Sequence, residues 1–172
     1  VKKIEGFLGQ KAHRKTGMMR DLDHDYFHKI EAIEFAMNFD DGKNPKGFLD
    51  ADIVLLGVSR TSKTPLSVYL ANKSYKVANL PLVPEISIPK EIYEVDPKKI
   101  IGLIIDKDKL NEIRNQRLIA LGLSSESSYA TDERIDEELK YAKELYNDLG
   151  CVVIDVSKST IISLSSFNVP SI

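Results

Sequence analysis

The sequence predicts an α/β fold, a parallel sheet flanked by helices, and three observations carry that prediction. Continuous apolar runs of strand length, Asp52-Ile-Val-Leu-Leu-Gly57, Lys99–Asp106 and Cys151–Val156, suit strands buried on both faces. Between them lie amphipathic stretches long enough to be crossover helices, which parallel strands require. The composition is that of a globular chain: 172 residues, 42% hydrophobic and 29% charged, enough to bury a core without disulfides or a structural metal.

In chain order, residues 1–22 carry Gly6, Gly9 and Gly17 and read as a linker from a missing N-terminal segment. The chain opens with Val and no apolar targeting segment follows, so a fragment is expected. Lys2, Lys3, Lys11, Arg14, Lys15 and Arg20 face only Glu5 over the first twenty residues, a solvated arm or an anion-binding one. A helix is expected from Asp23, which can cap it, with Phe27, Ile30, Ile33 and Met37 at helical spacing. Asp40-Asp41-Gly42 and Asn44-Pro45 break it. After the first strand a second helix runs from Lys63 through Leu66 and Tyr69 to about Lys73, then a short strand over Tyr75–Asn79. Leu80–Glu94 holds Pro81, Pro84 and Pro89 and is a stiff connection. A helix from Lys107 to Leu121 stops at Gly122, and Ser124–Ser128 is a serine-rich loop. Thr131 caps a strongly amphipathic helix with Ile135, Leu139, Ala142, Leu145 and Leu149 on one stripe, ended by Gly150. Residues 23–158 thus form one domain and 159–172 a peripheral tail.

Several function classes fall away. No apolar run approaches the roughly 20 residues of a membrane span. The net charge of −2 supplies no field toward nucleic acid or anionic lipid. Cys151, the single cysteine, excludes a disulfide scaffold, fits a reducing cytoplasm, and as the opening residue of a buried strand reads as core. His13, His24 and His28 lack metal-ligand spacing.

The strongest chemical signal is Gly57-Val58-Ser59-Arg60-Thr61-Ser62-Lys63-Thr64. It matches the phosphate-binding loop G-x-x-x-x-G-K-[ST] except that Ser62 replaces the second glycine. A buried strand precedes it and a helix follows, so its backbone amides would wrap a phosphate at the positive end of the helix dipole. Lys63 would neutralise the transferred phosphoryl and Thr64 would hold Mg²⁺. Asp106 and Asp155 each end a strand on the side where open α/β sheets bind ligands, and either could orient Mg²⁺ or accept a proton; helix capping is the plainer role. Arg117 falls amid Leu110, Ile113 and Leu121 on the apolar stripe of its helix, which marks a phosphate clamp, a salt bridge or a snorkelling side chain. No D-x-x-G or N-K-x-D follows the loop, which removes the GTPase class and leaves P-loop kinase-like chemistry.

Ala51–Ser67 closely resembles the signature of the pyruvate, phosphate dikinase regulatory protein family, whose members include phosphoenolpyruvate synthase regulators. The resemblance extends through Leu22–Phe35, Asp40-Asp41-Gly42, Lys76–Glu85, Ile113–Leu118, Ser127–Ala130 and Gly150–Val156. It implies a bifunctional enzyme. ADP would donate its β-phosphate to a threonine of the dikinase (or synthase), and inorganic phosphate would later remove that group as pyrophosphate. It also implies that Gly57, Val58, Ser59, Arg60, Thr61, Ser62, Lys63 and Thr64 bind the nucleotide, with Ser62 the family's own variant. Asn79, Glu85, Asp106 and Arg117 lie in matching segments. A homodimer is an open expectation. Three departures stand out: a further N-terminal segment of roughly a hundred residues is absent, Ser74 stands where glycine is usual, and the C-terminal end differs. Two other classes remain, an ATP-dependent small-molecule kinase of the shikimate or nucleotide-kinase type, and a non-catalytic module that keeps the loop as a structural turn.

Overall fold

The computed structural model describes residues 24–122 and 128–157. The expected linker and tail, the cap at Asp23, His13 and residues 124–127 of the serine loop lie outside the described residues, as does the side chain of His24. Helix α1 spans His24–Asn38, followed by a 3-10 turn at Asp40–Gly42 and a short α2 at Gly47–Asp50. Strand β1 (Ile53–Gly57), helix α3 (Lys63–Ala71) and strand β2 (Val77–Pro81) come next. Two 3-10 turns, Lys90–Glu94 and Pro97–Lys99, lead to β3 (Ile100–Ile104) and α4 (Lys107–Ala120). A 3-10 turn at Ser128–Ala130, helix α5 (Asp132–Leu149) and β4 (Val152–Asp155) complete the order.

The four strands form one all-parallel sheet in the order β2-β1-β3-β4. The architecture is therefore α/β, as the apolar runs predict. β1 lies inside the sheet and all five of its residues are buried, which accounts for its unbroken apolar sequence. The step from β1 to β2 and the step from β3 to β4 run in opposite directions, so right-handed crossovers put α3 and α5 on opposite faces. The chain order thus reverses at β1, and the crevice beyond its carboxyl end is where open sheets of this kind hold ligands. Gly57 ends β1 there, level with Pro81 of β2 and Leu103 of β3.

Helices α4 and α5 are closed as their sequences dictate. The Asp106 carboxylate accepts the amides of Asp108 and Lys109 at the start of α4. Thr131 accepts the amide of Arg134 at the start of α5, which Gly150 ends at φ 63°. Under α5, the ring of Tyr146 lies so close to Gly102 that a β-carbon there would meet it at 2.8 Å. The Tyr146 hydroxyl donates to the carbonyls of Leu56 and Leu103 at 3.2 and 3.0 Å, binding α5 to both inner strands. Burial pushes this phenol well above its ordinary pKa.

Three local expectations are corrected. β2 begins two residues later than Tyr75, because the end of α3 continues into a turn that closes with Tyr75 N–H on the Leu70 carbonyl. Pro81 belongs to the strand and is tolerated because β2 is an edge strand. In α1 the buried line is Ala32 and Ala36, packed on Ala71 of α3, while Phe27 and Met37 are more than half exposed. Small residues let these helices approach closely, with Ile33 packed beside them. In α4 the buried line runs Leu110–Arg114–Leu118, so Arg117 is exposed rather than on the apolar stripe. Leu121, which rotated the expected stripe toward Arg117, lies just past the last turn and is itself exposed.

Candidate functional site

The loop between β1 and α3 is built around one carbonyl. Val58 C=O accepts from the Thr61 hydroxyl and from the Lys63 ammonium, both at 2.9 Å. Thr61 is fully buried and Lys63 nearly so. To make this turn, Arg60 and Ser62 adopt φ 75° and 61°, the left-handed region that glycine enters without strain. Ser62 therefore takes the backbone shape that the glycine of the general motif would supply. Gly57 has no such freedom to exchange: a β-carbon would stand 2.5 Å from Thr61 Oγ1 and 3.3 Å from the Leu103 backbone. Ser74, the other glycine substitution, closes the end of α3 with φ 70°.

Lys63 folds back into the loop with its charge poorly solvated. Burial, the largest influence, lowers its pKa to about 8; Asp41 and Asp40 oppose this, and Arg114 and Arg60 reinforce it. Outside the loop is an open cavity of about 510 Å³ lined by Ser59, Arg60, Ser62, Lys63, Thr64 and Asp41, with Pro81 and Ile113 at its sides. Cationic side chains and the first amides of α3 converge on this space, an arrangement suited to an anion.

Two carboxylates that the sequence placed at a helix break and in a family-like segment, without a chemical role, complete the cavity. Thr64 Oγ1 donates to Asp40 Oδ1 at 3.0 Å. The same oxygen accepts a short hydrogen bond from Asn79 Nδ2, and Asn79 Oδ1 accepts the Asp41 amide at 3.1 Å. Asn79 is fully buried in β2, so its amide holds the Asp40-Asp41 turn by both ends against the loop. The available signal was a polar amide in the middle of a buried strand, which requires partners. Magnesium takes one or two carboxylates with substrate phosphates, and Thr64 Oγ1 with Asp40 has that donor chemistry. Among the described residues no three His, Cys, Asp or Glu gather into a metal cluster.

Behind the loop is a buried charge network. The side chain of Arg114 is fully buried. It donates to Tyr129 C=O at 2.9 Å and weakly to Ser59 C=O at 3.4 Å, and pairs closely with Glu138. Its guanidinium lies 4.5 Å over the Tyr129 ring, and the Tyr129 and Ser59 hydroxyls are 2.9 Å apart. Arg134 continues the chain to Glu138 at 2.9 Å and to Glu85 at 2.8 Å, the Glu85 contact being bidentate. One cation thus fastens the loop, the 128–130 turn and α5 together. The expectation of a buried arginine on α4 was right in kind and misplaced by three residues.

Asp106 and Asp155 reach the same edge of the sheet but not the loop. Both line a separate cavity of about 560 Å³ with Lys107 and Asp136. Asp106 caps α4, and Asp155 accepts the Ser157 amide at 2.8 Å together with its hydroxyl. Arg117 is on the exposed face of α4 and lines none of these spaces. Cys151 is half-buried beside the Tyr146 carbonyl, and burial pushes its thiol up.

Comparison with known proteins bears on this constellation. A family profile described as Kinase/pyrophosphorylase matches residues 1–166. The chain belongs to that family. Relatives within it are close. A protein of Clostridioides difficile (strain 630) assigned as pyruvate, phosphate dikinase regulatory protein is 59% identical over 161 residues, which is 94% of this chain and 58% of that protein. One of Lactobacillus acidophilus is 61% identical over 148 residues, 86% of this chain and 53% of its own length. One of Bacillus subtilis (strain 168) is 55% identical over 161 residues, 94% and 60% respectively. The chain therefore spans somewhat over half the length of the curated relatives it matches. Among the described residues no helix of this kinase/pyrophosphorylase chain is long and apolar enough to cross a membrane.

Proposed function

We propose that this chain is the nucleotide-binding and phosphoryl-transfer part of a regulator of pyruvate, phosphate dikinase. In one direction a target threonine oxygen bonds the β-phosphorus of ADP as the bond to the AMP oxygen breaks. In the other, inorganic phosphate bonds the phosphorus of the phosphothreonine, the threonine oxygen leaves, and pyrophosphate is released. The observation that carries the reading is the Gly57–Thr64 loop, with Lys63 buried at its centre and Asp40 and Asp41 held against it by Asn79. Both directions pass a phosphoryl group between oxygens over one anion site, so one cradle serves both. The family's name and the names of its members, which mention the dikinase, support this over a free-metabolite kinase.

The work of the protein is positioning and electrostatics. Loop amides and Lys63 hold the phosphates, with Arg60 adding charge at the mouth. Mg²⁺, held by Thr64 and Asp40, would supply further positive charge on the phosphate oxygens. Asp41 lines the cavity and takes the hydroxyl proton; Asp106 and Asp155, in the neighbouring cavity, do not serve this step. Calorimetry of ADP and ATP with Mg²⁺ on this chain and on Lys63→Ala tests the reading. Tight ADP binding lost in the variant is expected. A marked ATP preference would move the assignment to a small-molecule kinase, and no binding of either would leave the loop a structural turn.

A further inference from the structure

A second cleft, of about 670 Å³, meets the loop cavity at Ser59, the only lining residue the two share among the described residues. Leu82 and Val83, which follow β2, and the Tyr129 ring give it an apolar floor. Its rim is acidic: Glu85, Glu133 and Glu137 are exposed, and four carboxylates line the cleft against the single guanidinium of Arg134. Arg134 is fully occupied, bonded to Glu85, Glu137 and Glu138. Glu133 has no cationic partner among the described residues, so the rim keeps uncompensated negative charge. The walls are pre-set by the Arg134 clamp and by Arg114 behind them, which lowers the cost of ordering a ligand.

Phosphoryl transfer needs its acceptor oxygen across the phosphorus from the leaving group. A cleft that meets the anion site at Ser59 offers that approach while the diphosphate stays on the loop. Resting on the phosphoryl-transfer reading above, we infer that this cleft is the acceptor site and takes an extended protein segment. The segment's hydroxyl side chain reaches Ser59, where the Ser59 and Tyr129 hydroxyls can orient it, and a basic residue beside it meets the Glu133 rim. Its oxygen–phosphorus bond forms as the bond to the AMP oxygen breaks, and its proton passes to Asp41. The cleft opens to solvent, as a segment projecting from a larger partner requires.

The test uses the 172-residue chain saturated with ADP and Mg²⁺, and two fluorescent threonine-centred peptides alike except for flanking arginines or glutamates. Anisotropy should show the arginine peptide binding about tenfold tighter. Glu133→Lys should remove most of that preference and the milder Glu133→Gln part of it, with ADP affinity held. Equal binding of the two peptides, or a preference that survives Glu133→Lys, with ADP still bound, overturns the acceptor cleft and leaves the nucleotide site standing. Failure of the unaltered chain to bind ADP overturns the underlying reading and this inference with it.

Discussion

Lys63 makes the site's most direct prediction, because its protonation and its ligand are opposed to its burial. In the unliganded protein burial lowers its pKa from 10.5 to about 8. A bound diphosphate favours the ammonium form, so the pKa rises again in the complex. Affinity therefore follows the protonated fraction of the free protein, which falls from about nine-tenths at pH 7 to about one-tenth at pH 9. ADP should bind about tenfold more weakly at pH 9 than at pH 7, about 1.4 kcal/mol. Binding at pH 8 should take up about half a proton per ADP. Calorimetry in two buffers of different ionisation enthalpy measures both quantities. Linkage gives a second readout of opposite sign. Between about pH 8 and 10.5 the unfolded chain holds a proton that folded Lys63 has lost, so the stability of the unliganded protein should rise there, by up to about 3 kcal/mol. The stability cost is fully present below pH 8. Lys63→Met should flatten both profiles. An ADP affinity constant from pH 7 to 9 with no proton uptake would refute the placement of Lys63 against the phosphates.

Other expectations follow from individual contacts. Asp40→Asn should abolish most of the Mg²⁺-dependent gain in ADP affinity while leaving Mg²⁺-free binding within about twofold, since the amide can still meet Thr64 and Asn79; calorimetry with and without chelator measures this, and equal losses in both would count against a metal role. Arg114→Met leaves Glu138 buried with only Arg134, and should cost about 3 kcal/mol, or a fall of about 6–12 °C in melting temperature. Adding Glu138→Leu should recover part of that loss in thermal melts, and a single-variant loss under about 1 kcal/mol would contradict the buried pairing. Ser62→Gly relieves about 1–2 kcal/mol of left-handed strain and adds about 0.5–1 kcal/mol of chain entropy, so melting should rise by about 1–4 °C; a fall would mean the Ser62 side chain holds the loop.

What could be read in the sequence followed from periodicity and local chemistry. The apolar runs marked β1, β3 and β4, and Asp106, Thr131 and Gly150 marked helix ends within a residue or two. The Gly57–Thr64 loop was legible because its residues are contiguous. Asp40, Asp41 and Asn79 were not, because the first two precede β1 and the third lies in β2, and only strand pairing brings them to Thr64. Arg114 illustrates a different limit. A helical stripe drawn through side chains of one helix is accurate to about one residue's rotation, 100°, and including Leu121 turned it onto Arg117. The expected stripe of α1 failed for a related reason, since Phe27 and Met37 are exposed while burial follows the close approach of Ala32 and Ala36, with Ile33 packed beside them.

Each group that shapes the loop is costly in the absence of an anion. Lys63 is desolvated, with the Val58 carbonyl as its hydrogen-bond partner and Asp41 and Asp40 only partly offsetting the burial, Arg60 and Ser62 hold left-handed backbone, and Arg114 is wholly buried with its Nε unpartnered among the described residues. Such costs persist only where surrounding structure over-determines them. Here Asn79, Thr61, Glu138 and Tyr129 supply that constraint from β2, the loop itself, α5 and the 128–130 turn. On the proposed function, an arriving phosphate relieves the largest of them by giving Lys63 a counter-charge. The predicted opposing pH slopes of stability and affinity are therefore two views of one arrangement, a cation held short of solvent whose compensation, on the proposed function, comes from the substrate.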